Sequence, residues 1–438
     1  MTRVTIRMRW ILNHYMYSLR ELFPVLKNFF MYSGGALLVR GSSAFTAPIT
    51  MSILSPEHYG LLALLNSFVS IACVICGLGL RQALFLEYFH CSSEQKQESI
   101  INILKLYLLC ATPLLVIGFL FRGHINQWYF SNQSSTGLIV LCLCLIFAYF
   151  FSELIYQILQ YENKSLLLTS LQIGFTTLVI TTTIVLLWYG NYGVASLIIG
   201  QLAGVIVVSG IGIWYSLRCI TANLRVCQLP TAKYLAQGLP FVPGMLLAWA
   251  LAAGDRVLLA RYLTLHDVGI YSVADLFGQL FYMTILIPFS NAYQPYLMKK
   301  FAENHHSLMD VERWNRKIMW LFLPGVTLLF SLGYLTTKPI VYRFLPPSYQ
   351  EAIPYLWLIL FGYLLSVASY FPAALIQFRK KTTFLASAIC IPALLNVALN
   401  IMLIPHYHIM GCVFATIISY GSYFVLMLFY NQYVSRSL

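Results

Sequence analysis

QGLPFVPGMLLAWALAAGDRVLLARYLTLHDVGIYSVADLFGQLF, residues 237–281, is two apolar segments folded about a short polar turn, with Asp255, Arg256 and Asp275 set deep inside them. Both segments are long enough to cross a bilayer, which takes about 20 residues. A charge in hydrocarbon is costly, so one on a spanning helix faces a polar cavity or a partner. With the turn near Leu265, Arg256 lies nine residues before it and Asp275 ten after it. At 1.5 Å per residue both are about 14 Å deep, near the midplane of a ~30 Å core. They can therefore stand level on neighbouring helices and pair. Asp255 projects roughly 100° away around its helix, toward another surface.

The rest of the chain repeats this pattern. It is 59% hydrophobic and only 9% charged, against about 25% charged for a soluble domain. Twelve apolar stretches are expected to span a membrane, at 28–54, 59–86, 100–121, 136–160, 165–189, 193–217, 234–262, 267–298, 315–336, 350–377, 382–404 and 409–431. The expected class is an all-α polytopic membrane protein, twelve helices in two six-helix bundles. Residues 1–27 are expected to form a basic, amphipathic interfacial segment rather than a cleaved signal. One bundle covers 28–218, a cytoplasmic linker 219–233, the second bundle 234–431 and a cytoplasmic tail 432–438.

The basic residues orient these spans. Arg122, Arg261, Lys338 and Arg343 fall outside and Arg40 and Arg256 within the membrane; the rest of the 27 Lys and Arg fall on the cytoplasmic side. Such a bias predicts an N-in, C-in topology. The net charge of +13 is thus a topogenic signal that also meets anionic lipid headgroups, and nucleic acid is not an expected partner.

The halves echo each other. LSPEHYGLLALLNSF, residues 54–68, aligns with LTLHDVGIYSVADLF, residues 263–277, so that Ser55 matches Thr264, Gly60 matches Gly269 and Phe68 matches Phe277. GNYGVASLIIG at Gly190 echoes HYHIMGCVFATI at His406. An even number of spans per half makes the repeat parallel, about an axis along the membrane normal. Spans one and seven are also interrupted alike, by Gly34, Gly35, Gly41 and Pro48 and by Gly238, Pro240, Pro243 and Gly244. Broken helices at matching positions point to a transporter's binding region.

The intramembrane charges are then the candidate site: Arg40 and Arg256 to grip an anionic group with planar forks, and Asp255 and Asp275 to hold Arg256 or to take a coupling proton or sodium ion. The bland reading is a static ion pair that fixes helix packing. Glu153, Arg81 and Glu87 sit nearer the cytoplasmic boundary, where headgroup or loop contacts are expected. Cys73-x-x-Cys76 lies in an apolar helix without a second pair, and the histidines have no metal-ligand spacing, so neither metal nor cofactor is expected. The absence of a Gly-rich loop ending in Gly-Lys-Ser/Thr argues against an ATP-driven pump. The external loops at 122–135 and 338–349 are short and without Asp or Glu, which argues against an enzyme.

KNFFMYSGGALLVRGSSAF, GLGLRQALFLEYF, VGIYSVADLFGQLFYMTILIPFSNAYQPYLMKKF and IPHYHIMGCVFATII, together with the segments quoted above, resemble the polysaccharide and O-antigen flippases (Wzx-type) of the multidrug/oligosaccharidyl-lipid/polysaccharide exporter superfamily, over about residues 27–430. The resemblance implies two six-helix bundles around a central cavity worked by alternating access. It implies a cargo of undecaprenyl-diphosphate-linked oligosaccharide in a bacterial inner membrane, with polysaccharide polymerase and chain-length machinery downstream. By position in the matching motifs, headgroup contact falls on Arg40 and on Arg256 of the Asp255–Arg256 pair. The alternative is an ion-coupled multidrug exporter of the same superfamily, which would favour an acidic cavity.

Overall fold

The computed structural model describes residues 42–88, 93–162, 164–190, 192–219, 231–302 and 308–436, and these are helical with no strand. The helices are α1 (Ser42–Ile53), α2 (Pro56–Gly77), α3 (Leu80–Tyr88), α4 (Ser93–Leu120), α5 (Arg122–Tyr129), α6 (Thr136–Tyr161), α7 (Ser165–Gly190) and α8 (Val194–Cys219). Then come α9 (Thr231–Gly238), α10 (Val242–Tyr262), α11 (Leu265–Ala302), α12 (Leu308–Phe344), α13 (Ile353–Phe378), α14 (Thr382–Ala388) and α15 (Cys390–Arg436).

Ten segments among the described residues are long and apolar enough to cross a membrane. Much of the first expected span, and the whole of 1–27, lies outside the described residues. The last two expected spans fall in one segment, Thr383–Val434, of 52 residues. A straight helix of that length would reach about 78 Å, far beyond a ~30 Å core. His408 breaks it, with φ 53° and ψ −135°. A methyl group at Gly411 would overlap the backbone of Leu403, and residues eight apart in a helix stand about 12 Å apart. The chain therefore doubles back between them. Large apolar side chains such as Leu109, Leu166, Trp188, Trp320 and Leu335 remain exposed, as suits helices solvated by lipid.

Two boundaries differ from expectation. The second span, placed over 59–86, ends as a helix at Gly77, and the chain turns through Leu78 (φ 47°) and Gly79 (φ 68°) into the separate α3. Residues 231–233, expected in a linker, already belong to α9.

The internal repeat is visible in local chemistry. Ser55 caps α2, its hydroxyl oxygen accepting from the His58 amide at 3.5 Å, with Pro56 in the first turn. Thr264, its repeat partner, caps α11: the Thr264 hydroxyl accepts from the Asp267 amide at 3.3 Å, and Asp267 Oδ2 accepts from the Thr264 amide at 3.1 Å. This reciprocal pattern is a capping box. Both turns start their helices at the same end of the molecule, and α2 then packs along α11. Gly60 and Gly269 meet there. A methyl group on Gly60 would overlap the Leu265 carbonyl and lie 2.8 Å from the Gly269 amide; one on Gly269 would overlap the Pro56 carbonyl. Only residues without a side chain let the helices approach so closely. At this turn end the Tyr349 hydroxyl also donates to the Leu54 carbonyl at 2.8 Å across the halves.

The halves touch again at the opposite end, where Gly79 stacks backbone to backbone on Gly238. Here α9 lies on α3 and α4: the Lys233 ammonium is 2.9 Å from Glu87, Gln237 donates to Glu87 at 2.6 Å and the Tyr234 hydroxyl donates to Ser99 at 2.9 Å. Between these ends Ser67 joins α2 to α10, donating to the Ala253 carbonyl at 3.0 Å while its own carbonyl accepts from the Trp249 indole at 3.1 Å.

Candidate functional site

Arg256 on α10 and Asp275 on α11 form an ion pair, at the level that counting from their common turn places both. The Asp275 carboxylate has further donors. Gln279, one turn on, donates to Oδ2 at 2.8 Å, and the Tyr363 hydroxyl of α13 donates to Oδ1 at 2.8 Å. A buried carboxylate is tolerated when its oxygens are satisfied in this way. Arg256 also donates through Nη1 to the Ala252 carbonyl at 2.9 Å. A guanidinium has five N–H donors in a planar fork, so donors remain for a ligand.

Asp255 faces the other way. It is 2% exposed and enclosed by α11 and α15. Oδ2 accepts from the Tyr271 hydroxyl at 2.7 Å and the Thr416 hydroxyl at 3.2 Å, and Oδ1 accepts from the Asn400 amide at 2.8 Å. Asn400 also donates to Asn396 Oδ1 at 3.0 Å. The shell is incomplete: Asn400 Oδ1 and Asn396 Nδ2 are buried without a partner. Native interiors rarely leave such atoms unmatched without a functional reason or an unseen water or ion. No group of three or more His, Cys, Asp or Glu side chains converges among the described residues. One carboxylate among neutral oxygens suits a proton or a hard monovalent cation rather than a transition metal.

Two cavities adjoin this constellation. A cavity of 270 Å³ between the halves is lined by Tyr59, Asn66, Ser70, Arg256 and Gln279. A larger one of 480 Å³ is lined by Asn66, Ser70, Arg81, Tyr149, Glu153 and Gln201, with Met245 of α10 closing one side. Asn66 and Ser70 belong to both walls, so the cavities meet on α2. In the larger, Arg81 is 2.8 Å from Glu153 and its backbone carbonyl accepts from Gln157 at 3.0 Å.

Of the four candidates, Arg256 and Asp275 come together with Arg256 on a cavity wall, and Asp255 is enclosed behind α10. Arg40 lies outside the described residues. Arg81 and Glu153, expected to make headgroup or loop contacts, pair with each other and line the larger cavity. The shells on α13 and α15 were missed as well. Tyr363 is 88 residues from Asp275 and Thr416 is 161 from Asp255, separations at which one sequence offers no signal beyond a polar residue in an apolar helix.

Residues 25–301 match the family described as polysaccharide biosynthesis protein, more than half of the chain. The chain belongs to this family. Comparison with curated proteins gives no match. Among solved structures, the lipid II flippase MurJ in an inward closed conformation is similar, with 17% identity, TM-score 0.74, and 92% of this chain and 87% of that one covered. A MATE family multidrug resistance transporter of the MOP superfamily, in an inward-facing conformation, has 13% identity and TM-score 0.69, with 92% and 94% covered. A MOP superfamily transporter from Pyrococcus furiosus, whose binding pocket is described as of reverse polarity, has 14% identity and TM-score 0.63, with 94% and 96% covered. At these identities the likeness is one of fold: a multi-pass membrane fold found in a flippase and in transporters.

Proposed function

We propose that the protein is a flippase that moves undecaprenyl-diphosphate-linked oligosaccharide, the repeat unit of O-antigen or another surface polysaccharide, from the inner to the outer leaflet of the bacterial cytoplasmic membrane. The observation that carries this reading is Arg256, a cation on the wall of a partly polar cavity between the halves, in a chain of the polysaccharide biosynthesis family. A sugar–diphosphate headgroup cannot cross hydrocarbon unaided because its hydroxyls and charges lose their water hydrogen bonds. Arg256 grips the diphosphate bidentately, exchanging it for Asp275, whose oxygens stay bonded to Tyr363 and Gln279. Arg40 of span one is the second cation of this reading.

Two six-helix bundles, 28–218 and 234–431, rock about the seam of α2 with α10 and α11. In the N-in, C-in topology the Gly60–Gly269 contact closes the outer mouth and the Gly79–Gly238 contact the inner one. A proton or sodium ion at Asp255 couples the motion. Turning over the Asn400 amide, whose oxygen and nitrogen are close to isosteric, would put its unpartnered oxygen beside the carboxylate as a cation ligand. Polymerase and chain-length machinery receive the cargo outside. Export of cationic drugs would favour an acidic lining, whereas the charged lining among the described residues is Arg81, Glu153 and Arg256.

In cells lacking this protein and any second flippase, lipid-linked oligosaccharide should accumulate in the inner leaflet. Wild-type protein should relieve the build-up, and well-expressed Arg256→Ala or Arg40→Ala should not. Normal translocation in the null would overturn the reading.

A further inference from the structure

If the protein flips a lipid-linked sugar, the lining of its larger cavity selects the kind of sugar, an inference that rests on the flippase reading. The charged side chains on the two cavity walls, among the described residues, are Arg81, Glu153 and Arg256. Each cation is already balanced, Arg81 by Glu153 at 2.8 Å and Arg256 by Asp275. Arg256 is committed to the diphosphate, so no described cation is left over for a second anionic group.

The remaining polar lining is uncharged. Asn66 and Gln201 stand together, the Gln201 amide donating to Asn66 Oδ1 at 3.4 Å, and Ser70 is exposed beside them. Amide and hydroxyl side chains both donate and accept, as sugar hydroxyls and N-acetyl groups require. The half-buried Tyr149 supplies ring surface for the hydrophobic faces of pyranose rings. The volume of 480 Å³ falls within the ~300–1,000 Å³ of ligand clefts. A sugar carboxylate here would give up its water hydrogen bonds with no unpaired described cation to receive it, since Arg81 is already held by Glu153 at 2.8 Å.

We propose that the 480 Å³ cavity of the first half is the glycan chamber and that it is built for an uncharged repeat unit, neutral hexoses or N-acetylhexosamines rather than uronic or sialic acids. The Arg81–Glu153 pair is its charge filter. Removing Glu153 leaves a free cation and relaxes the exclusion of acidic sugars; removing Arg81 leaves a free anion and tightens it.

The test uses proteoliposomes of the full chain with two probes, undecaprenyl-diphosphate carrying a neutral trisaccharide or the same trisaccharide with one uronic acid. Wild-type protein should flip the neutral probe about tenfold or more faster. Glu153→Gln should narrow that ratio, Arg81→Gln should widen it, and the double variant should restore the wild-type value, because its lining is again neutral. The ratio is internal to each preparation, so a partly folded variant does not obscure it. Equal rates for both probes in the wild type, or a ratio indifferent to either variant, would overturn the chamber's charge selectivity while leaving the flippase reading intact. Movement of neither probe would count against the flippase reading itself.

Discussion

Arg81–Glu153 and Arg256–Asp275 are both arginine–carboxylate pairs whose arginine lines a cavity, yet the molecule treats them differently. The first, in the N-terminal half, has side chains 37% and 40% exposed; the second, in the C-terminal half, has side chains 12% and 8% exposed. Water screens the first and stands ready to replace either partner. The second is desolvated, and Tyr363 and Gln279 complete its shell. Asp255, on the same helix as Arg256, is enclosed further still. The first half thus supplies room lined by exchangeable polar groups, and the second supplies buried charge held by neutral donors. Buried charge is costly to keep, and in the proposed cycle it stands where a diphosphate and a coupling cation need a strong, dry partner.

The largest effect that could break this contrast is on Asp275. Asp275→Ala leaves Arg256 buried without its counter-charge, and loss of one member of a buried pair costs about 3–5 kcal/mol. Thermal unfolding of the purified protein should register a large drop, and wild-type stability would show that the pair is far wetter than its surroundings indicate. Next comes the seam. Gly60→Ala must displace the backbone of α11, a strain of about 1–3 kcal/mol on what is proposed to be the closed outer mouth. In a cysteine-free background, Asn66→Cys should then label faster with an impermeant thiol reagent added outside; an unchanged rate would remove Gly60 from the gate.

Asp255→Asn keeps the shape of the shell and removes its charge, weakening bonds from Tyr271, Thr416 and Asn400 by about 1 kcal/mol each, a loss offset by the desolvation cost that the buried charge no longer carries. Stability should change less than for Asp275→Ala, while dependence of transport on a sodium or proton gradient should vanish. Retained dependence would move the coupling site elsewhere. The smallest effect belongs to the exposed pair. Glu153→Gln should shift stability by at most about 1 kcal/mol, and a loss as large as that of Asp275→Ala would erase the distinction between the two halves.

How much of this was legible beforehand follows from distance along the chain. The membrane class rests on local composition, and the level of Arg256 with Asp275 on counting residues from one turn. The repeat was legible in Ser55 with Thr264 and Gly60 with Gly269, and the structure uses those positions as caps and as the seam. Other features needed the tertiary fold. Arg81 and Glu153 are 72 residues apart and face each other only because α3 and α6 converge on one cavity. The Asp255 shell draws on Asn400 and Thr416, at opposite sides of the reversal at His408. The break of the second span at Leu78 was hidden because its signal, a single Leu-Gly step with positive φ, differs little from ordinary glycine in a membrane helix.

The most direct test of the central claim is translocation by the purified full chain in liposomes containing a fluorescent undecaprenyl-diphosphate-linked oligosaccharide, followed by loss of protection from an externally added quencher. The account predicts protein-dependent exchange between leaflets that Arg256→Ala, folded by thermal unfolding and size-exclusion criteria, slows about tenfold or more, as expected for loss of a charge-assisted grip of 1.4 kcal/mol or greater. Exchange at the wild-type rate in Arg256→Ala, or none with well-folded wild-type protein under an imposed sodium or proton gradient, would contradict it.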